Sequence, residues 1–246
     1  MHTFITGAAS GIGKATARRL AARSTIAVAD RNGEGAEAVA EEIRAAGGQA
    51  QAYTLDVTDP AAVKDVVARA SSDNGPIDAL FNNAGINIRG PLLNVTEDDF
   101  DLMMNIHARG MFVVAQNVLR GMVERKSGAI VNTSSDFAVI GVPNLGVYCA
   151  AKTAIYAMTK ATALEFAPHG IRINAIGPGP IDTPILRQNR PPREVETALK
   201  ANAERTPLGR LGKPEEVAAT VDFLLSDKAS YINGQLIQPN GGAVIW

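Results

Sequence analysis

The chain has 246 residues, 46% of them hydrophobic, with 24 Lys plus Arg against 25 Asp plus Glu. That length and apolar content suit one large, well-buried α/β domain, and the balanced charge leaves no broad field to attract nucleic acid or anionic lipid, so a small molecule is the expected partner. Cys149 is the only cysteine, which excludes an internal disulfide and a thiolate metal cluster. The apolar runs fall short of the roughly 20 residues that span a bilayer, and Met1 leads almost directly into a strand-like segment, so a cytoplasmic protein with no membrane span is expected.

Strand-length apolar runs alternate with stretches of helical period, the pattern of a doubly wound parallel sheet with helices on both faces. In chain order, strands are expected at 1–6, 25–30, 50–56, 79–82, 128–133, 172–176 and 235–238. Helices are expected at 11–22, 35–46, 60–72, 97–125, 147–166 and 214–225. Thr58 or Asp59 before Pro60, Thr96 before Glu97 and Asp99, and Gly47-Gly48 after an Ala-rich run mark helix ends. The stretch 177–213 carries six prolines and reads as irregular, either a lid over a site or a decorated surface loop.

Between the first strand and first helix lies Thr6-Gly7-Ala8-Ala9-Ser10-Gly11-Ile12-Gly13. Small residues there let backbone N–H groups and the positive end of a helix meet a pyrophosphate, whereas bulky side chains block that approach. A glycine turn alone is a weak signal, since tight turns need glycine for steric reasons. Asp30, seventeen residues past Gly13 at the end of the second strand, adds to it. A carboxylate there accepts the ribose hydroxyls of NAD and repels a 2′-phosphate, although Arg31 next to it offers a partner for the phosphate of NADP.

Of the two, Asp30 decides for NAD; with these segments the chain resembles a classical short-chain dehydrogenase/reductase over its whole length, and the resemblance implies a single Rossmann-like domain of about seven strands. In that family Asp56-Val57 matches the adenine-contacting pair, and Asn82-Asn83-Ala84-Gly85 matches the fourth-strand turn beside the adenosine ribose. Pro178-Gly179, followed by Ile181 and Thr183, matches the segment that holds the nicotinamide carboxamide.

Tyr148 and Lys152 stand four residues apart in a helical segment, on one face. A phenol is a poor base at neutral pH, and a neighbouring ammonium together with an oxidised nicotinamide favours its phenolate. Ser135 ends the fifth strand thirteen residues before Tyr148, the separation found in the family, with Ser134 as the adjacent alternative. The implied mechanism has Tyr148 as general acid/base, Lys152 on the nicotinamide ribose and Ser135 polarising the substrate oxygen. The family places an asparagine in its long fourth helix, at a local break, where it holds a water linked to the lysine. Here that position is His107, with Asn105 two residues earlier. Either His107 takes that part, since histidine both donates and accepts, or a helical irregularity brings in Asn105.

Cys149 and Met103, Met104, Met111 and Met122 read as packing. Arg187, Arg190 and Arg193 read as a lid cluster for a substrate anion or as solvated charge, and Trp246 as a terminus needing a surface, such as a second subunit. The resemblance implies a homotetramer built through the helices at 97–125 and 147–166. The function expected is NAD-dependent interconversion of a secondary alcohol and a ketone on a sugar, polyol, hydroxy acid or similar small molecule, with substrate walls at 136–145 and 185–205. The competing reading is a non-catalytic NAD-binding sensor or scaffold. An epimerase or dehydratase is disfavoured by the short C-terminal region.

Overall fold

A computed structural model describes residues 1–188 and 191–245; Arg190 and Trp246 lie outside the described residues. Seven strands form one sheet: β1 (His2–Thr6), β2 (Thr25–Asp30), β3 (Ala50–Thr54), β4 (Ala79–Asn82), β5 (Gly128–Thr133), β6 (Ile171–Ile176) and β7 (Leu236–Ile237). Their spatial order is β3-β2-β1-β4-β5-β6-β7 and every pairing is parallel. Parallel strands need crossovers, and here those are helices that bury both faces of the sheet.

Alternation along the strands sorts the core into two layers. Phe4, Leu80 and Ile130 face one way, against α3 (Pro60–Asn74), α5 (Gly110–Arg125) and α6 (Gly146–Phe166). Their chain neighbours Ile5, Phe81 and Val131 face the other way, against α1 (Gly11–Leu20), α2 (Gly33–Ala45) and α8 (Pro214–Leu225). The strand order reverses between β1 and β4, so the loops leaving their C-terminal ends part and open a crevice there.

One polar crosspiece runs through this apolar interior. Asn82 on β4 and Asn132 on β5 stand opposite each other in the ladder. Asn82 Nδ2 donates to Asn132 Oδ1 at 3.0 Å, Asn132 Nδ2 donates to Thr159 Oγ1 on α6 at 3.0 Å, and Thr159 Oγ1 donates to the Ile155 carbonyl at 2.8 Å.

The expected caps form: Asp59 accepts from the N–H groups of Ala61 and Ala62, and Thr96 and Asp99 make a reciprocal capping box. Three expectations are corrected. The helix at 97–125 is α4 (Glu97–Met104), a π-helical turn (Asn105–Arg109) and α5, because a wider turn is inserted where the chain passes the site. The stretch 177–213 contains a 3₁₀ turn (Pro184–Leu186) and a helix, α7 (Pro192–Glu204). Pro191 and Pro192 sit at the start of α7, where a missing N–H costs nothing, and strong helix formers follow. Finally, β3 stops at Thr54 and β7 spans two residues, both shorter than their apolar runs. Among the described residues no helix is long and apolar enough to cross a membrane.

Candidate active site

The crevice is a cleft of about 640 Å³. Its floor at one end is the turn between β1 and α1. Gly7 (φ 65°) and Gly11 (φ 53°) occupy the left-handed region that side chains rarely adopt. A Cβ on Gly7 would lie 2.9 Å from Ala84 Cα, so the turn after β1 presses against the turn after β4. The two turns are stitched together: Thr6 Oγ1 accepts the N–H of Asn83 (3.0 Å) and of Ala84 (3.1 Å), while Asn83 Nδ2 donates to the carbonyls of Thr6 and Gly7. Ser10 caps α1 by position only, and its side chain makes no capping bond. A helix start and small residues in this arrangement fit a dinucleotide pyrophosphate.

Asp30 comes off the end of β2 into the cleft. Its Oδ2 accepts the Ala9 N–H at 3.0 Å and its Oδ1 accepts the Asn32 N–H at 2.9 Å, which fixes the carboxylate and leaves each oxygen a further lone pair. Arg31 is exposed beside it and also lines the cleft. Asp56 accepts from both the backbone N–H (2.8 Å) and the hydroxyl (2.7 Å) of Thr58, and these bonds hold its carboxyl below the usual range. At the far end Thr183 packs on Gly11, with Thr183 Cγ2 3.2 Å from where a Gly11 Cβ would stand, so the segment after β6 closes over the first turn.

The chemical groups cluster between these ends. Ser135, directly after β5, is 4% exposed; its Oγ accepts the Phe137 N–H and donates to Asp136 Oδ1, each at 3.1 Å. Ser134, the alternative, donates to the Lys152 carbonyl at 2.8 Å and so is occupied in anchoring α6. Lys152 is 3% exposed; its Nζ donates to the Thr133 carbonyl at 2.8 Å and lies 5.6 Å from the centre of the Tyr148 ring. Burial pulls the Lys152 ammonium down to about 7. Burial also pushes the Tyr148 phenol up, with the Ser135 hydroxyl pulling the other way.

The π-helical turn settles which side chain of that helix reaches the site. His107 is buried, edge-on to Tyr148 with ring centres 5.7 Å apart, and its Nε2 meets the backbone of Ile86, 2.8 Å from the carbonyl oxygen and 3.3 Å from the N–H. Burial, then the neighbouring Lys152 charge, hold its imidazole well below the ordinary histidine range. His107 lines the cleft and Asn105 does not.

Of the residues singled out from the sequence, Gly7, Ser10, Gly11, Ile12, Asp30, Arg31, Asp56, Val57, Asn83, Ala84, Gly85, His107, Ser135, Tyr148, Lys152, Pro178, Gly179, Ile181 and Thr183 line this one cleft. Gly13 does not: it lies beneath the turn, where a Cβ would stand 2.1 Å from the Gly7 carbonyl oxygen. Nor do Arg187 and Arg193, which pair with Asp182 and Glu194. Arg205 lines the cleft instead, its guanidinium 4.8 Å from the centre of the Phe137 ring. Asn87 and Arg89, after β4, supply a wall that nothing in the sequence pattern marked. Cys149 is outside the lining, Met103, Met111 and Met122 are core, and among the described residues no group of His, Cys, Asp or Glu is placed to hold a metal.

Residues 7–244 match the family model described as enoyl-(acyl carrier protein) reductase. The chain is 42% identical over 243 residues to the 3-oxoacyl-[acyl-carrier-protein] reductase of Thermotoga maritima, covering 98% of this chain and 97% of that protein. It is 40% identical over 239 residues to the cis-4-hydroxycyclohexanecarboxylate dehydrogenase of Sinomonas cyclohexanicum, covering 97% and 94%. The crystal structure of a short-chain type dehydrogenase/reductase from Mycobacterium marinum superposes with a TM-score of 0.92 at 34% identity, over all of this chain and 96% of that one. The chain is a nicotinamide-dependent oxidoreductase of the classical short-chain dehydrogenase/reductase family.

Proposed function

We propose that the protein uses NAD to interconvert a secondary alcohol and a ketone on a small molecule. The observation that carries this reading is the convergence of Ser135, Tyr148 and Lys152 on the cleft whose other end holds the glycine turn and Asp30. Asp30 and Asn83 bind the adenosine half and Thr183 the carboxamide end; when bound, the nicotinamide supplies or accepts the hydride.

The phenol of Tyr148, whose proton is firmly held, gives that proton to a carbonyl oxygen during reduction and takes it back during oxidation. Ser135 Oγ orients the same oxygen, and Lys152 Nζ, anchored on Thr133, holds the nicotinamide ribose. His107 keeps the Ile86 backbone and the Tyr148 ring in place. Ile86, Phe137, Val142, Leu145, Ile185 and Leu186 give the substrate end apolar walls, which suit a compact apolar body better than a sugar. The Sinomonas relative, named for a hydroxyl on a cyclohexane ring, and the Thermotoga relative, named for a 3-oxo group, are consistent with a secondary alcohol or ketone. Within the stretch 177–213, the described residues 177–188 and 191–213 act as the lid, with Ile185, Ala198 and Asn202 lining the cleft. The exposed side chains of Phe100, Phe112 and Leu164 mark the face through which copies of the chain associate as a tetramer.

The test is nicotinamide absorbance with NAD or NADP against secondary alcohols and ketones. NAD-confined turnover that Tyr148→Phe lowers by about a thousand-fold, with NAD affinity nearly unchanged, is expected. Near-normal turnover in that variant overturns the acid/base role.

A further inference from the structure

Ser135 has one proton, and in this structure it goes to a neighbour. The hydroxyl donates to Asp136 Oδ1 at 3.1 Å while its lone pairs accept the Phe137 N–H. A carboxylate is acceptor-only, so as long as Asp136 is ionised that bond can only run in this direction. The proton that should polarise a substrate oxygen is then engaged elsewhere. Asp136 is itself an unusual group for this place. It is 2% exposed, it lines the cleft beside Ser135 and Tyr148, and its second oxygen, Oδ2, is buried without a hydrogen-bond partner. A buried carboxylate with one satisfied oxygen is costly and takes up a proton readily.

Resting on the reading of Ser135 as the group that polarises the substrate oxygen, we propose that Asp136 is a positioning residue that decides where the Ser135 proton points. Ionised, Asp136 draws that proton to itself. Neutral, it donates its own proton to Ser135 Oγ, and the serine hydroxyl turns to the substrate oxygen. The one covalent change is the O–H bond formed on the Asp136 carboxyl, its proton taken from the solvent; the rest is a re-aiming of hydrogen bonds.

The surroundings favour a switch in the working range. Burial pushes the Asp136 carboxyl up to about 6, opposed by the Ser135 hydroxyl, by Arg205 and by backbone N–H groups. The titratable and charged groups facing it are Tyr148 from α6, whose phenol the Asp136 charge raises, and Arg205 from the end of α7, stacked on Phe137. Ketone reduction therefore gains a donor as pH falls through about 6 and loses it as pH rises.

Two measurements test this on the full chain. In the first, carbon-13 NMR of aspartate-labelled protein follows the carboxyl resonance that Asp136→Asn removes. It should titrate near 6, and the midpoint should rise in Ser135→Ala, which takes away the donor to the ionised form. Titration alongside the ordinary aspartates, or a midpoint that Ser135→Ala leaves in place, overturns the proposal. The second follows kcat/KM for reduction of 4-oxocyclohexanecarboxylate, at saturating reduced cofactor, from about pH 5 to 8. The wild type should fall by about ten-fold or more through a step that Asp136→Asn abolishes, with Asp136→Ser as the replacement if the amide does not fold. A step of the same position and size in the variant overturns the proposal even when Ser135→Ala is inactive. If Ser135→Ala instead reduces the ketone like the wild type, the reading of Ser135 fails first and this inference fails with it.

Discussion

Both oxygens of Asp30 are engaged before any ligand arrives, one by Ala9 and one by Asn32, so the side chain has no freedom to lose on meeting a ribose. Asp30→Ala removes that acceptor and the repulsion of a 2′-phosphate together. The expected result is NAD affinity lower by about ten-fold or more, with a smaller preference over NADP, read by titration of both dinucleotides. His107 invites the opposite experiment. Its Nε2 faces both the carbonyl and the N–H of Ile86 and, in either tautomer, can bond only one of them, whereas an asparagine amide offers a separate donor and acceptor. His107→Asn should keep kcat/KM within about ten-fold of wild type and His107→Ala should lose clearly more, since its Ile86 groups are left unpaired in the interior. Ser135, Tyr148, Lys152 and Asp30 were legible in the sequence because strand ends and one helix face hold them in the order and spacing of the family that the glycine turn had already suggested. His107 was legible only as a choice between two residues, because a π-helical turn leaves no periodic trace. Asp136 fell inside an expected wall, but its bond to Ser135 depends on a rotamer, which no pattern encodes.

The turn between β1 and α1 acts as one piece with the turn after β4, and Gly13 is the hidden member of that piece. A methyl group at position 13 would overlap the Gly7 carbonyl oxygen and stand 2.8 Å from Asn83 Nδ2. Neither atom can withdraw without undoing the bonds that join the two turns. Gly13→Ala is expected to cost about 1–3 kcal/mol in denaturant unfolding and to weaken dinucleotide binding as well. A loss of stability with unchanged affinity would show that the turn tolerates the shift. At this scale the strands and most helices followed from apolar period and caps. The exception, α7, was hidden by Pro191 and Pro192, which break a helix from within but start one from its first turn. Its burial is also slight, so the apolar stripe that reveals a packed helix is weak there.

At the scale of the whole molecule, the described apolar side chains left in solvent include Phe100 and Leu102 on α4, Phe112 on α5 and Leu164 on α6, with Leu164 79% exposed and Phe112 47% exposed. A charge placed in the middle of an apolar contact must be desolvated when two copies meet. Leu164→Arg should therefore shift the chain to smaller species in sedimentation at equal concentration, with melting of the separated subunit still cooperative; an unchanged sedimentation coefficient would remove this face from the assembly.

The amide chain through Asn82, Asn132 and Thr159 also works as an error check on folding. A strand that slips by one residue against its neighbour turns every side chain to the opposite face. In an all-aliphatic layer such a slip can be partly repacked. Here it would strand two amides in the interior, at about 1–3 kcal/mol for each unpaired group. Asn83 follows this crosspiece by one residue, just past β4, and Ser134 and Ser135 follow it closely, just past β5. The same hydrogen bonds that disfavour a slip of β4 against β5 thus bring the ends of these two strands level, so the turn that carries Asn83 and the hydroxyl of Ser135 leave the sheet at the same height.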